Sequence, residues 1–303
     1  MNRIELATLI FDRLVSEKER LKTEFQNSDS SIGYFSLDDL LPNDIALQIH
    51  AVFPKPEQMV LKKSLREDKY VAAQMNLYHP LLEEIIYAFQ DERVVMVVGE
   101  ICNIKNPIPD QNLYAGGISM MGKKQFLNPH LDNSHDKDRN LWRVLNLLYY
   151  VTPNWGETNG GNLELWPNGL IQKQITIHSK FNRLVVMETH NNSLHSVSPV
   201  VFDDYRRCVS NYYFANEPLQ DSDRFHVTSF RGRPENKFSD LVLQLDTFLR
   251  MTLRKIFKKG IKENDQKLMV IIFFARFERT TVFSFLPIWQ IQISYVKIKK
   301  SLF

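Results

Sequence analysis

Two cysteines in 303 residues, Cys102 and Cys208, are too few and too far apart for a disulfide framework, which points to a reducing compartment and a cytoplasmic protein. No run of 18 apolar residues occurs, so no stretch reads as a membrane span. Long runs of Lys and Arg are missing too. With 38 basic and 35 acidic side chains the net charge is only +3, and no nucleic-acid partner is indicated. The first residues do not read as a signal peptide, because Arg3, Glu5 and Asp12 interrupt their apolar positions. What remains, 44 % hydrophobic and 24 % charged, is the composition of a globular protein long enough to bury a substantial core.

Three short segments carry the chemistry. Pro129-His130-Leu131-Asp132 sets a His and an Asp two residues apart, and in a strand residues i and i+2 face the same way. His195, in Leu194-His195-Ser196-Val197, can bring a second imidazole from a distant strand. Two His and one carboxylate on a metal, with positions left open, mark non-haem Fe(II) oxygenases, which need room for an oxidisable co-substrate and dioxygen. Arg206 opens the next strand, Arg206-Arg207-Cys208-Val209-Ser210, and its charged fork suits two-pronged contact with a carboxylate. A dicarboxylate is the electron donor this pattern implies.

From Leu113 to Phe214 the chain resembles the 2-oxoglutarate/Fe(II) oxygenases, and within them the prolyl-4-hydroxylase-like group. The resemblance rests on the order of His130-x-Asp132, Gly160-Gly161-x-Leu163, Asn182-Arg183-Leu184, His195-x-Val197 and Arg206-x-x-Val209-Ser210. It implies a double-stranded β-helix, with His130, Asp132 and His195 as iron ligands and as the catalytic centre. It also implies 2-oxoglutarate as co-substrate, its distal carboxylate held by Arg206 with Ser210 and Tyr150, and ascorbate as an accessory reductant. His190 competes with His195, but only His195 is followed by the Val-Ser-Pro-Val run of the family. Arg207 competes with Arg206. Alternation along the strand favours Arg206, which alone shares a face with Ser210. Met120 stands where some prolyl hydroxylases have a tyrosine that contacts the co-substrate.

The fold class expected is mainly β with α, a jelly-roll core flanked by N-terminal and C-terminal helices. Residues 1–105 read as a helical region packing on the core, 106–218 as the oxygenase core, and 219–303 as an extension, helical and then apolar and basic. Helical spacing of Ile4, Ala7, Phe11, Leu14, Leu21 and Phe25 predicts one helix over 3–26. Further helices are expected from Asp38 to about Val52 with Pro42 in the first turn, over 80–89 and 91–103, and over 239–259 with Leu241, Leu245 and Phe248 on one side. Eight strands are expected between 113 and 215, near 113–121, 126–132, 143–151, 162–166, 172–177, 182–188, 194–200 and 206–215. Asn133–Leu141 reads as a charged loop beside the metal. Residues 268–303 hold five Lys or Arg and one acidic residue among bulky apolar ones. Three readings stay open for them: an added strand pair, a peripheral membrane contact, or a tail altered by a change of reading frame.

The preferred function is a 2-oxoglutarate-dependent dioxygenase acting on a small molecule or a prolyl or other peptide substrate, with succinate and CO2 released. Asp132 favours hydroxylation, since the related halogenases lack a carboxylate at that position. Two rival classes stay open, a non-catalytic metal-bound jelly roll that binds or senses a ligand, and a cupin-type metal-dependent hydrolase or isomerase. Neither rival requires a buried cation one strand after the distal ligand, so Arg206 tells them apart.

Overall fold

Alternation builds the core. Along Arg206–Ala215, Val209 and Tyr213 are buried on one side of the strand, while Arg206, Cys208, Ser210 and Tyr212 point to the other, lining a cavity. The computed structural model describes residues 1–28, 31–114 and 116–256. Among them the helices are α1 (Arg3–Ser16), α2 (Lys18–Ser28), α3 (Asn43–Ala51), α4 (Pro80–Ala88), α5 (Glu92–Ile101) and α6 (Lys237–Ile256). The strands are β1 (Tyr34–Leu37), β2 (Val60–Lys63), β3 (Glu67–Ala72), β4 (Ile108–Pro109), β5 (Gly117–Met121), β6 (Phe126–Leu131) and β7 (Trp142–Tyr150). They continue with β8 (Leu163–Leu165), β9 (Ile175–Ile177), β10 (Arg183–Glu188), β11 (His195–Val197), β12 (Arg206–Ala215) and β13 (Ser229–Phe230).

The ladder runs β1-β10-β7-β12-β5-β3-β6-β11-β8-β9, antiparallel throughout. β3 is the corner strand. It pairs with β5 through Tyr70–Ala72 and with β6 through Glu67 and Asp68, joining the two sheets of a curled jelly roll. Tyr150, Leu163, Leu165, Val185, Met187 and Cys208 fill part of the space between them.

The N-terminal helices α1 to α5 cover the outer face of the larger sheet. Leu82, Ile85, Ile86, Val94, Val98 and Ile101 of α4 and α5 are fully buried in one cluster with Leu147, Tyr149, Leu184, Val186 and Val209 of the sheet. Each such aliphatic side chain contributes about 2 kcal/mol by leaving water. Side-chain caps fix where the helices begin: Asn2 and Glu5 form a reciprocal capping box on α1, and Asp91 accepts the Arg93 N–H at 3.0 Å.

Several boundaries differ from the sequence expectation. The single helix over 3–26 is two, broken at Glu17, yet Leu14 and Leu21 stay buried on either side because their spacing of seven carries one stripe across the break. Pro42 precedes α3 as its N-cap and does not lie in its first turn. In α6, Leu241, Leu245 and Phe248 face solvent, while Leu243 is buried and Asp246 pairs with Arg66. The Asn133–Leu141 loop is tied down: Asp136 accepts the N–H groups of Asn140 and Leu141, and Phe225 stacks on His135 at 4.6 Å. Residues Met1–Gly260 make one compact unit, and the apolar and basic tail after Lys267 lies outside the described residues. Among the described residues no helix is long and apolar enough to cross a membrane.

Candidate metal and co-substrate site

Strand pairing brings two distant histidines together. His195 of β11 lies directly opposite His130 of β6, with ring centroids 4.2 Å apart. Asp132 follows the end of β6 and reaches both: its carboxylate oxygens lie 3.6 Å from His130 Nε2 and 3.8 Å from His195 Nε2. One ligand atom from each residue falls within 4.8 Å of the others, the one such cluster found among the described residues. His190 is not part of it; it is buried after β10, where its Nδ1 accepts the Asn192 N–H at 3.1 Å.

Each imidazole in the cluster is oriented by its own strand. His130 Nδ1 lies 2.9 Å from the Asn128 carbonyl oxygen, and His195 Nδ1 lies 2.9 Å from that of Ser193. A ring that donates its Nδ1 proton to a carbonyl presents a lone pair at Nε2, which is the tautomer a metal ligand needs. Burial, and next the neighbouring His195, push His130 down to about 3, so its ring is neutral. Phe230 stacks on that ring at 5.1 Å and holds its plane. Asp132 is ionised: burial alone would raise it, but His195, Arg143 and His130 outweigh burial and lower it. Asn146 Nδ2 and Arg143 Nη1 stand 3.5 and 3.7 Å from the carboxylate oxygens. Donors at about 2.1 Å and at right angles on one ion lie roughly 3 Å apart. The triad needs only a small contraction to hold such an ion, and its N, N, O donor set suits a first-row metal.

Arg206 supplies the second half of the site. It is 4 % exposed, and no carboxylate pairs with it among the described residues. Its Nη2 donates to the Met121 sulfur at 3.0 Å, its guanidinium lies 5.3 Å over the Tyr150 ring, and its Nε has no partner. A buried cation with an orphaned donor is costly unless an anion completes it. The cavity of about 810 Å³ that it lines is also lined by His130, Asp132 and His195, so an anion on Arg206 would share one chamber with a metal on the triad. The residues fit both groups. Tyr150 and Ser210 line the same chamber, and Ser210 Oγ is 3.5 Å from the Gly117 carbonyl oxygen. Arg207 takes the opposite face, with Nη1 3.2 Å from the Tyr205 carbonyl oxygen and 3.9 Å from Asp204.

The paired glycines make room for this arrangement. Gly160 has φ +75°, and a Cβ there would meet the Pro199 carbonyl oxygen at 2.1 Å; a Cβ on Gly161, at φ +68°, would lie 3.2 Å from Arg206 Cδ. Met120, expected near the co-substrate, is buried in the helix-side cluster, whereas Met121 and Ser119 face the cavity. Sequence reasoning also missed Lys69 and Glu67, which reach the cavity from β3, and Asn146 beside Asp132. Two-residue alternation in Glu67-Asp68-Lys69 was the available signal, but the charged run hid the strand.

Residues 116–215 match the model of the 2OG-Fe(II) oxygenase superfamily. A search of curated proteins found no match. Among solved structures, a prolyl hydroxylase from Trichoplax adhaerens in complex with a hypoxia-inducible-factor peptide fragment is 20 % identical, with 66 % of this chain and 91 % of that chain covered and a TM-score of 0.46. A prolyl-4-hydroxylase from Pseudomonas putida is 14 % identical over 65 % of this chain and 100 % of that chain, at 0.44. HygX from Streptomyces hygroscopicus, with nickel, 2-oxoglutarate and hygromycin B bound, is 11 % identical over 71 % and 98 %, at 0.46. The matched segment runs from the start of β5 to the end of β12 and holds the triad and Arg206 together, and over these residues the chain is similar to the 2OG-Fe(II) oxygenases, enzymes that use iron and 2-oxoglutarate.

Proposed function

We propose that the protein hydroxylates an unactivated carbon of a small-molecule or peptidyl substrate, converting 2-oxoglutarate to succinate and CO2. The observation that carries this reading is Arg206, a buried guanidinium without an acidic partner in the same chamber as the triad. His130, Asp132 and His195 would hold iron through Nε2, a carboxylate oxygen and Nε2. Arg206 would bind the distal carboxylate of 2-oxoglutarate, with Ser210 and Tyr150 completing the pocket. When bound, the iron supplies the redox chemistry that couples oxidation of the keto acid to oxygenation of a C–H bond.

The chain's own residues do the rest. The Asn128 and Ser193 carbonyls fix the ligand tautomers, and the Tyr150 ring shields the guanidinium from water, so that its contact with a carboxylate forms in a low-dielectric wall. Asp132 supplies the carboxylate that favours hydroxylation over halogenation. The order of the His130, Gly160, His195 and Arg206 motifs supports placement in the prolyl-4-hydroxylase-like group, and two buried cysteines outside any disulfide support a cytoplasmic location.

The test is turnover. Purified protein with Fe(II), 2-oxoglutarate and ascorbate is offered panels of metabolites and of proline-containing peptides, with succinate measured and products weighed. A product 16 mass units heavier, formed with equimolar succinate, is expected. Metal binding with no succinate under any substrate would favour the ligand-binding or hydrolase reading.

A further inference from the structure

Beyond the iron and Arg206, the chamber opens outward past the β2–β3 hairpin. Along β2 the cavity-lining residues are Val60 and Lys62, and along β3 they are Glu67, Lys69 and Val71, as two-residue alternation requires. Lys62 and Lys69 are direct cross-strand partners and share this face. Like charges directly opposite in an antiparallel pair repel. Only one of the two is offset within the hairpin: Lys69 Nζ lies 3.0 Å from Glu67 Oε2 with both side chains about four-fifths buried, while Lys62 has no acidic partner among the described residues. Asp68, the other nearby acid, pairs with Lys63 at 3.7 Å and donates nothing to the Lys62 face.

Charge bookkeeping of the whole chamber separates into two parts. In the inner part, iron and Arg206 bring as much positive charge as Asp132 and 2-oxoglutarate bring negative, so it is neutral once loaded. The outer part holds Lys62, Lys69 and Glu67, and one positive charge is left over. Low-dielectric walls focus that charge into the cavity. Around it stand Tyr78, Tyr114 and Leu77, which offer apolar and aromatic surface at the mouth.

We propose that Lys62 and Lys69 form an anion-binding subsite for the primary substrate, which carries a carboxylate or phosphate group alongside an apolar portion. The proposal rests on the oxygenase reading above. Lys69 sits deeper and sets where the anion stops, Lys62 draws it in from the rim, and Glu67 limits how tightly it is held. The subsite fixes one end of the substrate at the hairpin and presents the other to the metal.

The experiment uses protein loaded with Mn(II) and saturated with 2-oxoglutarate, so that Arg206 is occupied. Paramagnetic broadening of probe protons reports binding near the metal. The probes are 3-phenylpropionate and its uncharged analogue 3-phenylpropionamide, with 2-phenylethyl phosphate distinguishing phosphate from carboxylate. An anionic probe is expected to bind at least about tenfold more tightly than the amide. Lys62→Met with Lys69→Met should bring that preference to within about twofold, with 2-oxoglutarate binding retained as evidence of folding, and Glu67→Gln should strengthen anion binding. Equal binding of acid and amide, no binding of either, a preference that survives the double substitution, or weaker anion binding in Glu67→Gln would each overturn the proposal. If Mn(II) and 2-oxoglutarate themselves fail to bind, the oxygenase reading of the site falls first.

Discussion

Arg206 donates from Nη2 to the thioether of Met121 at 3.0 Å, although no carboxylate pairs with it among the described residues. Sulfur is a weak acceptor, so the guanidinium is left poised for a stronger partner. Replacing Arg206 by Ala should leave a bound carboxylate unpaired in a buried pocket, at roughly 2–5 kcal/mol. The apparent 2-oxoglutarate requirement should rise at least about thirtyfold at about 1.4 kcal/mol per tenfold, with metal binding retained. Arg207→Ala, on the other face of β12, should change the requirement far less. Titration of 2-oxoglutarate turnover in both variants checks this, and equal effects would mean that the charge is not read through Arg206.

The two adjacent glycines should fail in different ways. Gly160→Ala would drive a Cβ into the Pro199 carbonyl oxygen at positive φ and should destabilise the fold by more than about 1 kcal/mol, seen as a lower urea midpoint. Gly161→Ala adds strain of its own and presses on Arg206 Cδ, so it should raise the 2-oxoglutarate requirement as well. A Gly161→Ala protein with unchanged co-substrate affinity would show that the Arg206 stem has slack.

Much of the site was legible because its signals are local or periodic. His130 and Asp132 are two residues apart, and Arg206 and Ser210 share a strand face, so alternation, read together with the family resemblance, singled them out. The eight core strands announced themselves by apolar alternation or apolar runs. β1 and the β2–β3 hairpin did not. Tyr34–Leu37 alternates between half-buried and buried but is too short to show a period, and all four residues of Val60–Lys63 are exposed, so that strand carries no inside-outside contrast. Which methionine faces the co-substrate depends on the pairing of β5 with β12, where Met121 stands opposite Arg206 and Met120 opposite Arg207. That register is a long-range property. The same holds for Lys69, brought to the chamber by pairing with strands some fifty residues later.

Asp38 links the end of β1 to β10 and gives the fold a pH signature. Hydrogen bonding to Arg183, aided by Lys180 and opposed by burial, holds its carboxyl down to about 2, against an ordinary value of 3.8. A carboxyl depressed in the folded state stabilises at pH above its unfolded value, and that stability is lost as pH falls through the folded one. The side chain is about a third exposed, so the full linkage value is reduced by solvent screening to about 1 kcal/mol. Asp38→Asn should therefore be about 1 kcal/mol less stable at pH 6, with the gap shrinking below about pH 4 and gone only near pH 1, below the folded value. Urea unfolding across that range checks it; a gap that does not change with pH would contradict it.

The central claim is that one metal sits on His130, Asp132 and His195 with 2-oxoglutarate beside it. Anaerobic titration of Fe(II) protein with 2-oxoglutarate tests this most directly, because chelation of the keto acid to ferrous iron gives a weak visible charge-transfer band. The account predicts the band in the native protein and in His190→Ala, and its loss in His130→Ala, Asp132→Ala and His195→Ala. A band that survives His195→Ala and disappears in His190→Ala would contradict the account.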